Sequence, residues 1–394
     1  MVSWSTKRKV ALTGLMFLFI FCRGEQKKES SKPGQDSLLI KLHKVIEKGT
    51  YGNIDSMLVI HKGRIAIDKS YEHDYVKINK GRDASDNIYN YYNPDYHPFY
   101  KGSKLHTMQS VTKSVTSAII GIAVGRGEIP GVSIKVLDYF KGKKILHVDD
   151  KKKSMTLEDV LTMRTGISWN EQVPYDNPEN TCIQLEASPD WVAFVINRPM
   201  DREPGKVYEY NSGASQLLSH IIKESTGMYI DKYAEKYLFG PLGIKNYYWK
   251  KTPTGLPDTE GGLYLEPKNL AKIGILYLHD GVWEGKQIVP ENWVHAALKP
   301  HVKDVAPESE TNNLAYGYLW RLIPYRKDPP KYIYTCTGYG GQYMFVLPGH
   351  DVIVVFTGWN IYHTRWLPIG RVLFEYILPY AEKAGPPPAA SVSR

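Results

Sequence analysis

Apolar positions along this chain recur with two different periods, and the places where the period changes mark out its elements. Leu38, Leu39, Leu42, Val45 and Ile46 fall at helical spacing. Ser56-Met57-Leu58-Val59-Ile60 and Arg64-Ile65-Ala66-Ile67 flank His61-Lys62-Gly63, the layout of a β-hairpin closed by a glycine turn. Residues 74–100, rich in Tyr, Asn and Asp, show no period and predict a long surface loop. Val115, Ala118, Ile119, Ile122 and Val124 then read as a buried helix, with Gly125 and Gly127 as its stop signal. Short helical pieces are predicted over 136–140, 157–163 and 190–197, and a longer helix runs through Glu224 after the turn at Pro204-Gly205. Residues 230–238 and 270–279 are amphipathic. Strand-like runs return at Tyr343–Leu347 and Val352–Thr357, around a turn at 348–351, and 365–380 predicts a terminal helix.

Strands at both ends and helices between them predict an α/β (α+β) architecture. The two ends would build one antiparallel sheet flanked by helices, the middle (roughly 125–300) would be inserted as a helical subdomain, and a cleft would lie between the two. The length of 394 residues suits one large domain or two intertwined ones. The sequence contains no internal repeat.

The N-terminus departs from this pattern. Lys7-Arg8-Lys9 precedes an apolar run from Val10 to Phe21, shorter than the ~20 residues a bilayer span needs, so residues 1–21 predict a signal peptide. Cys22 follows, and then a polar stretch to residue 37, which resembles the lipidated cysteine and tether of a bacterial lipoprotein; Phe21 departs from the small residue usual before that cysteine. The expectation is an exported protein of the cell envelope or periplasm, anchored to the membrane through Cys22. The folded domain would cover 38–385, and Pro386-Pro387-Pro388 would begin a disordered tail over 386–394. The formal charge of +9 is spread along the chain. Its densest run, Lys151-Lys152-Lys153 after Asp149 and Asp150, reads as a solvated loop, so no nucleic-acid partner is expected. Three cysteines (Cys22, Cys182, Cys336) make no disulfide framework. The 29 tyrosines are a stronger bias, because an apolar ring with a polar tip suits the lining of a ligand cleft.

The candidate chemistry sits at the start of the buried helix. Ser110 and Lys113 are three residues apart, which on a helix puts hydroxyl and amine on one face. A serine there could serve as an N-cap, yet an apolar helix carrying a Ser/Lys pair in its first turn suggests a nucleophile activated by an amine. The run Gly338-Tyr339-Gly340-Gly341-Gln342 is not a phosphate loop, since no Gly-Lys-Ser/Thr follows. Its glycines would let backbone approach a substrate closely. No His/Cys cluster has metal-ligand spacing, and His73-Asp74 reads as loop.

Ser110-Val111-Thr112-Lys113, with Leu161–Trp169, Phe239–Ile244 and Gly338–Gln342, resembles the serine β-lactamase and penicillin-binding-protein superfamily. Within it the chain is most similar to the class C-like hydrolases, in the branch of esterases and 6-aminohexanoate-dimer hydrolases, from about residue 38 to 380. The resemblance implies a β-lactamase-like fold and a serine hydrolase acting on a small-molecule ester, amide or peptide through an acyl-enzyme on Ser110, with no metal and no cofactor. It gives Tyr210 an acid/base role, because Tyr210-Asn211-Ser212 follows Pro204-Gly205 as the family's Tyr-x-Ser block does; Ser212 is the aligned third residue and Tyr208 the decoy. It places the Ser110 and Tyr339 N–H groups in an oxyanion hole, with Gly338, Ser212 and Gln342 around the substrate. Where the family carries Lys-Thr-Gly or His-Thr-Gly, this chain has Cys336-Thr337-Gly338. The cation that helps hold a β-lactam or peptide carboxylate is missing there, which argues against those substrates. A peptidoglycan D-peptidase, a weak β-lactamase and a non-catalytic envelope-binding protein of the same fold stay open as alternatives. Lys113 must be neutral to act as a base, and its burial is expected to lower its pKa; whether Lys113 or Tyr210 is the base stays open.

Overall fold

A computed structural model describes residues 36–85, 87–306, 314–361 and 365–383. The predicted signal peptide, Cys22, most of the tether and the proline-led tail lie outside the described residues.

The predicted first hairpin forms from Ile54–His61 and Arg64–Ser70. Lys62 and Gly63 both take positive φ (50° and 69°), the two-residue turn whose twist matches the strands it joins. The second hairpin forms from Gln342–Leu347 and Val352–Gly358. Its last strand pairs with Ile54–His61, opposing Met57 to Phe356 and Leu58 to Val355, so the two ends of the chain share one sheet. In order the seven strands are Arg64–Ser70, Ile54–His61, Val352–Gly358, Gln342–Leu347, Pro330–Gly338, Arg321–Lys327 and Ala315–Tyr316, antiparallel throughout.

Alternation along the central strands feeds two cores, one per face. Met57, Val59, Phe345, Val354 and Phe356 pack with Leu39, Leu42 and Ile46 of the helix Asp36–Glu47 and with Leu373 and Ile377 near the C-terminus. Leu58, Met344, Val346, Ile353 and Val355 face the other way, toward Val111–Gly125 and Pro267–Leu278. The strands are buried on both faces and so read as continuous apolar runs.

The helical region lies beside the second core and includes Leu157–Leu161, Thr181–Glu186, Trp191–Ile196, Ser212–Thr226 and Ile230–Phe239. Pro267–Leu278 does not belong to it. A Cβ on Gly274 would lie 2.8 Å from Met344 Sδ, so this helix lies directly on the sheet and the insertion ends before it rather than near 300. The terminal helix starts at Ile369 instead of 365, after Pro368 at its N-cap. The hairpin Arg321–Lys327/Pro330–Gly338 has no counterpart in the apolar pattern beyond the Cys336-Thr337-Gly338 block. Pro324 and a register shift between Lys331 and Tyr332 break its alternation. Lys152 corrects the solvated-loop reading of 151–153: it is fully buried, and its Nζ donates to the carbonyls of Leu146, Ile196 and Arg198.

Candidate active site

Ser110 sits at the junction of a strained turn and the helix Val111–Gly125. Gln109 before it takes φ +46°, a left-handed conformation uncommon outside glycine. Ser110 is the N-cap of Val111–Gly125, yet its side chain makes no capping hydrogen bond. Its Oγ accepts instead from Lys113 Nζ at 2.9 Å. Serine as a mere cap is thereby set aside, and the i/i+3 juxtaposition expected from the sequence is present.

Lys113 is 1% exposed and anchored from a second direction by the carbonyl of Glu260, which accepts from Nζ at 2.6 Å. That carbonyl is aimed by a tight turn in which Asp258 Oδ1 accepts from the N–H groups of Glu260 and Gly261. Thr259 is held to Gln216 and Ser215 of the helix Ser212–Thr226. The Glu260 carboxylate lies 3.7 Å from Nζ. These contacts overturn the expected downward shift of Lys113. Burial does pull its pKa down, but Tyr210, Glu260 and Glu171 outweigh it and the net shift is upward. Lys113 donates to Ser110 Oγ, and the net field of these neighbours favours its charged form.

Tyr210 lines one tight cleft with Ser110, Lys113, Arg321 and Thr337. Its ring lies 5.2 Å from Lys113 Nζ and 5.3 Å from Arg321 Cζ, so two cations face one ring. Tyr208 packs on Tyr316 instead, with ring centres 5.2 Å apart. Asn211 caps the helix that follows, accepting from Ala214 N. Ser212 gives its hydroxyl and its N–H to Glu171 at 2.7 and 2.8 Å, and Glu171 accepts further from Trp169 Nε1 and Tyr175. Ser212 therefore fixes a half-buried carboxylate beside the site and is itself only 1% exposed.

Gly338, Tyr339 and Gln342 take separate roles. A Cβ on Gly338 would come within 2.6 Å of Met108 O, so the strand end abuts the turn that carries Ser110. Gln342 is fully buried and donates Nε2 to Gly358 O at 2.7 Å, bracing two strands away from the cavity. The Tyr339 ring meets Tyr91 (5.7 Å), Tyr175 (4.8 Å) and Trp366 (5.8 Å). The long loop 74–100 and the segment before Thr181–Glu186 thus reach Tyr339 through Tyr91 and Tyr175. Burial pushes the Cys336 thiol up to about 12, which leaves it a neutral strand residue.

Sequence reasoning missed Glu171, Glu260 and Arg321. Arg321 puts a cation near the position where Cys336 has none: it lies on the neighbouring strand opposite Thr335 and lines the cleft. Its surroundings are the rings of Tyr208, Tyr210 and Tyr316, and no carboxylate pairs with it among the described residues. A larger cavity, on another part of the surface, contains Asp55, Ser56 and His106. There both ring nitrogens of His106 are engaged, by Asp55 Oδ2 at 3.0 Å and Thr107 O at 2.7 Å, so no serine is activated.

Comparison with known proteins agrees with this geometry. The family model described as Beta-lactamase matches residues 54–358. The 6-aminohexanoate-dimer hydrolase of Paenarthrobacter ureafaciens is 24% identical over 212 residues, covering 49% of this chain and 50% of that protein. The chain spans about half the length of the curated relatives it matches. Among solved structures, a family VIII carboxylesterase superposes with TM-score 0.62 at 13% identity, covering 89% of this chain and 98% of that one. A penicillin binding protein from Bacillus halodurans gives 0.57 at 17% identity, covering 80% and 94%. The chain belongs to the beta-lactamase family, serine hydrolases of one fold that include esterases and amidases.

Proposed function

We propose that this protein hydrolyses ester or amide bonds of small carbonyl substrates through an acyl-enzyme on Ser110. The observation that carries the reading is the 2.9 Å contact from Lys113 Nζ to a Ser110 Oγ that has no capping duty, inside a cavity shared with Tyr210. Ser110 Oγ attacks the carbonyl carbon, and the charge that develops on oxygen meets the N–H groups of Ser110 and Tyr339, each such donor contributing ~3 kcal/mol. The close fit of Gly338 against Met108 supports that pairing. The serine proton passes to the Lys113/Tyr210 pair, whose one basic site, amine or phenolate, accepts it, and Tyr210 then delivers that proton to the leaving alcohol or amine. Water then attacks the acyl-enzyme along the same route and frees Ser110. Ser110→Ala should reduce hydrolysis of p-nitrophenyl butyrate to background, and a fluorophosphonate probe should label Ser110. An unlabelled wild type, with Ser110→Ala equally active, would sink the proposal.

A second reading, cleavage of carboxylate-bearing peptides or weak action on β-lactams, is favoured by Arg321. A guanidinium in the cavity with only tyrosine rings around it suits a substrate carboxylate, which weakens the inference drawn from Cys336. The test compares p-nitrophenyl butyrate with the mono-p-nitrophenyl ester of glutaric acid, which adds a carboxylate. In Arg321→Gln the preference for the anionic ester should drop about tenfold or more. An unchanged preference would remove this reading. Export and anchoring through Cys22 are part of the proposal.

A further inference from the structure

We propose that the Glu260 side chain, backed by the neighbouring carboxyl of Glu186, is the counter-ion that positions Lys113 against Ser110. The inference rests on reading Ser110 as the nucleophile and adds a positioning pair to that site. Residue 260 contacts Lys113 twice. Its carbonyl could come from any residue, whereas its carboxylate, 3.7 Å from Nζ with both side chains nearly inaccessible, could come only from an acid.

The surrounding charges show why Glu260 needs Glu186. Four carboxyl groups (Glu171, Glu186, Asp258, Glu260) gather around two lysines, Lys113 and Lys250. Glu171 is occupied by Trp169, Tyr175 and Ser212. Asp258 is occupied by two backbone N–H groups and the field of Lys250, whose Nζ lies 3.0 Å from His97 Nε2. Glu186 and Glu260 remain, with carboxyl oxygens within 4.8 Å of each other and of the Cys182 thiol; Lys113 lies 3.7 Å from Glu260, and Glu186 has only the field of Lys250, already engaged with Asp258. Two carboxylates so close in a buried site cannot both ionise, so one proton is shared between them. Burial, then the other carboxylates, raise both groups: Glu186 keeps the proton, and Glu260 is pushed up to about 7. The groups facing the pair are Lys113 from the nucleophile helix, Cys182 beside Glu186 on its own helix, Glu171 and Tyr175 from the loop before that helix, Tyr89 from the long loop, and Asp258 and Lys250 near Glu260.

The sign follows directly. Glu260 is charged above its pKa, so Lys113 has its full counter-ion on the alkaline side and loses it as pH falls through neutrality. The experiment is the pH dependence of kcat/KM for p-nitrophenyl butyrate in wild type, Glu260→Gln, Glu260→Asp and Glu186→Gln, with infrared spectra of the same samples. Wild type should gain activity through a limb near neutrality. Glu260→Gln keeps shape and carbonyl but loses the charge, so that limb should vanish and kcat should fall about a hundredfold, with KM little changed and Glu260→Asp partly rescuing it. Glu186→Gln can donate an amide hydrogen to Glu260, so the limb should move to lower pH with activity kept. The infrared spectrum reads the pair without turnover: the C=O stretch of a buried protonated carboxyl should be present in wild type at neutral pH and absent in Glu186→Gln. A Glu260→Gln profile parallel to wild type, or no protonated-carboxyl band in wild type, overturns the proposal. Absence of ester hydrolysis by wild type with the band present overturns instead the hydrolase reading on which it rests.

Discussion

Lys152 shows how one residue can be misread from composition and yet hold a region together. Its neighbours Lys151 and Lys153 are solvated as expected, but its own ammonium turns inward to three carbonyls from two segments, at 2.9, 2.8 and 2.6 Å. Burial lowers its pKa and Asp149 partly restores it. Each carbonyl left without a donor costs ~1–3 kcal/mol, offset where water can enter. Lys152→Met should therefore lower unfolding free energy by about 2–4 kcal/mol, measured by urea denaturation, with the m-value unchanged. Lys152→Arg, longer and planar, should recover only part. A Lys152→Met protein as stable as wild type would show that these carbonyls do not depend on the lysine. Lys113 teaches the complementary lesson. Its burial was legible in the apolar helix, but the sign of its pKa shift was not, because Glu260 and Glu171 are 147 and 58 residues away in sequence and only folding brings them near.

Elements were legible where an apolar period is uninterrupted and ends in a recognisable residue. The nucleophile helix runs Val111–Gly125, with Gly127 at φ +73° just beyond it, where the stop signal was expected. Ser212–Thr226 ends at Gly227 in a left-handed cap, and Pro267 opens its helix at the first turn. Elements were hidden where local chemistry blurs the period. Arg321–Lys327 carries Pro324, tolerated because the adjoining strand is only Ala315–Tyr316 and leaves most of this one as an edge. That hidden strand carries Arg321, so the missed element and the missed cation are one omission. Glu260 was hidden in the same way, in a turn whose purpose is to aim a carbonyl at Lys113.

At the scale of the whole molecule, the sheet explains how a cleft comes to be built from pieces far apart in sequence. The first and last hairpins close on each other through Ile54–His61 and Val352–Gly358, and the intervening chain leaves the sheet and returns to it. Ser110, Tyr210 and the strand end at Gly338 are thereby delivered to one place from three separate excursions. The described helices include none long and apolar enough to cross a membrane. Any anchor of the kind proposed would then act through the segment before residue 36. If Cys22 is lipidated, full-length protein should sediment with membranes and Cys22→Ala should move to the soluble fraction. Identical partitioning of the two would remove the anchor from the proposal.

The sequence by itself determined the Ser110/Lys113 juxtaposition, both end hairpins and the antiparallel sheet they share, and it proposed Tyr210 over Tyr208 by resemblance. These depend on short-range periodicity and on motifs of a few residues, which survive being read as a string. Only the tertiary structure decided which acids surround Lys113, the nearness of Glu186 to Glu260, the cation at Arg321 and the internal placement of Ser212 and Gln342. Those are properties of distance and dielectric: each depends on which distant groups share a few ångströms of water-poor space, and no local pattern records that.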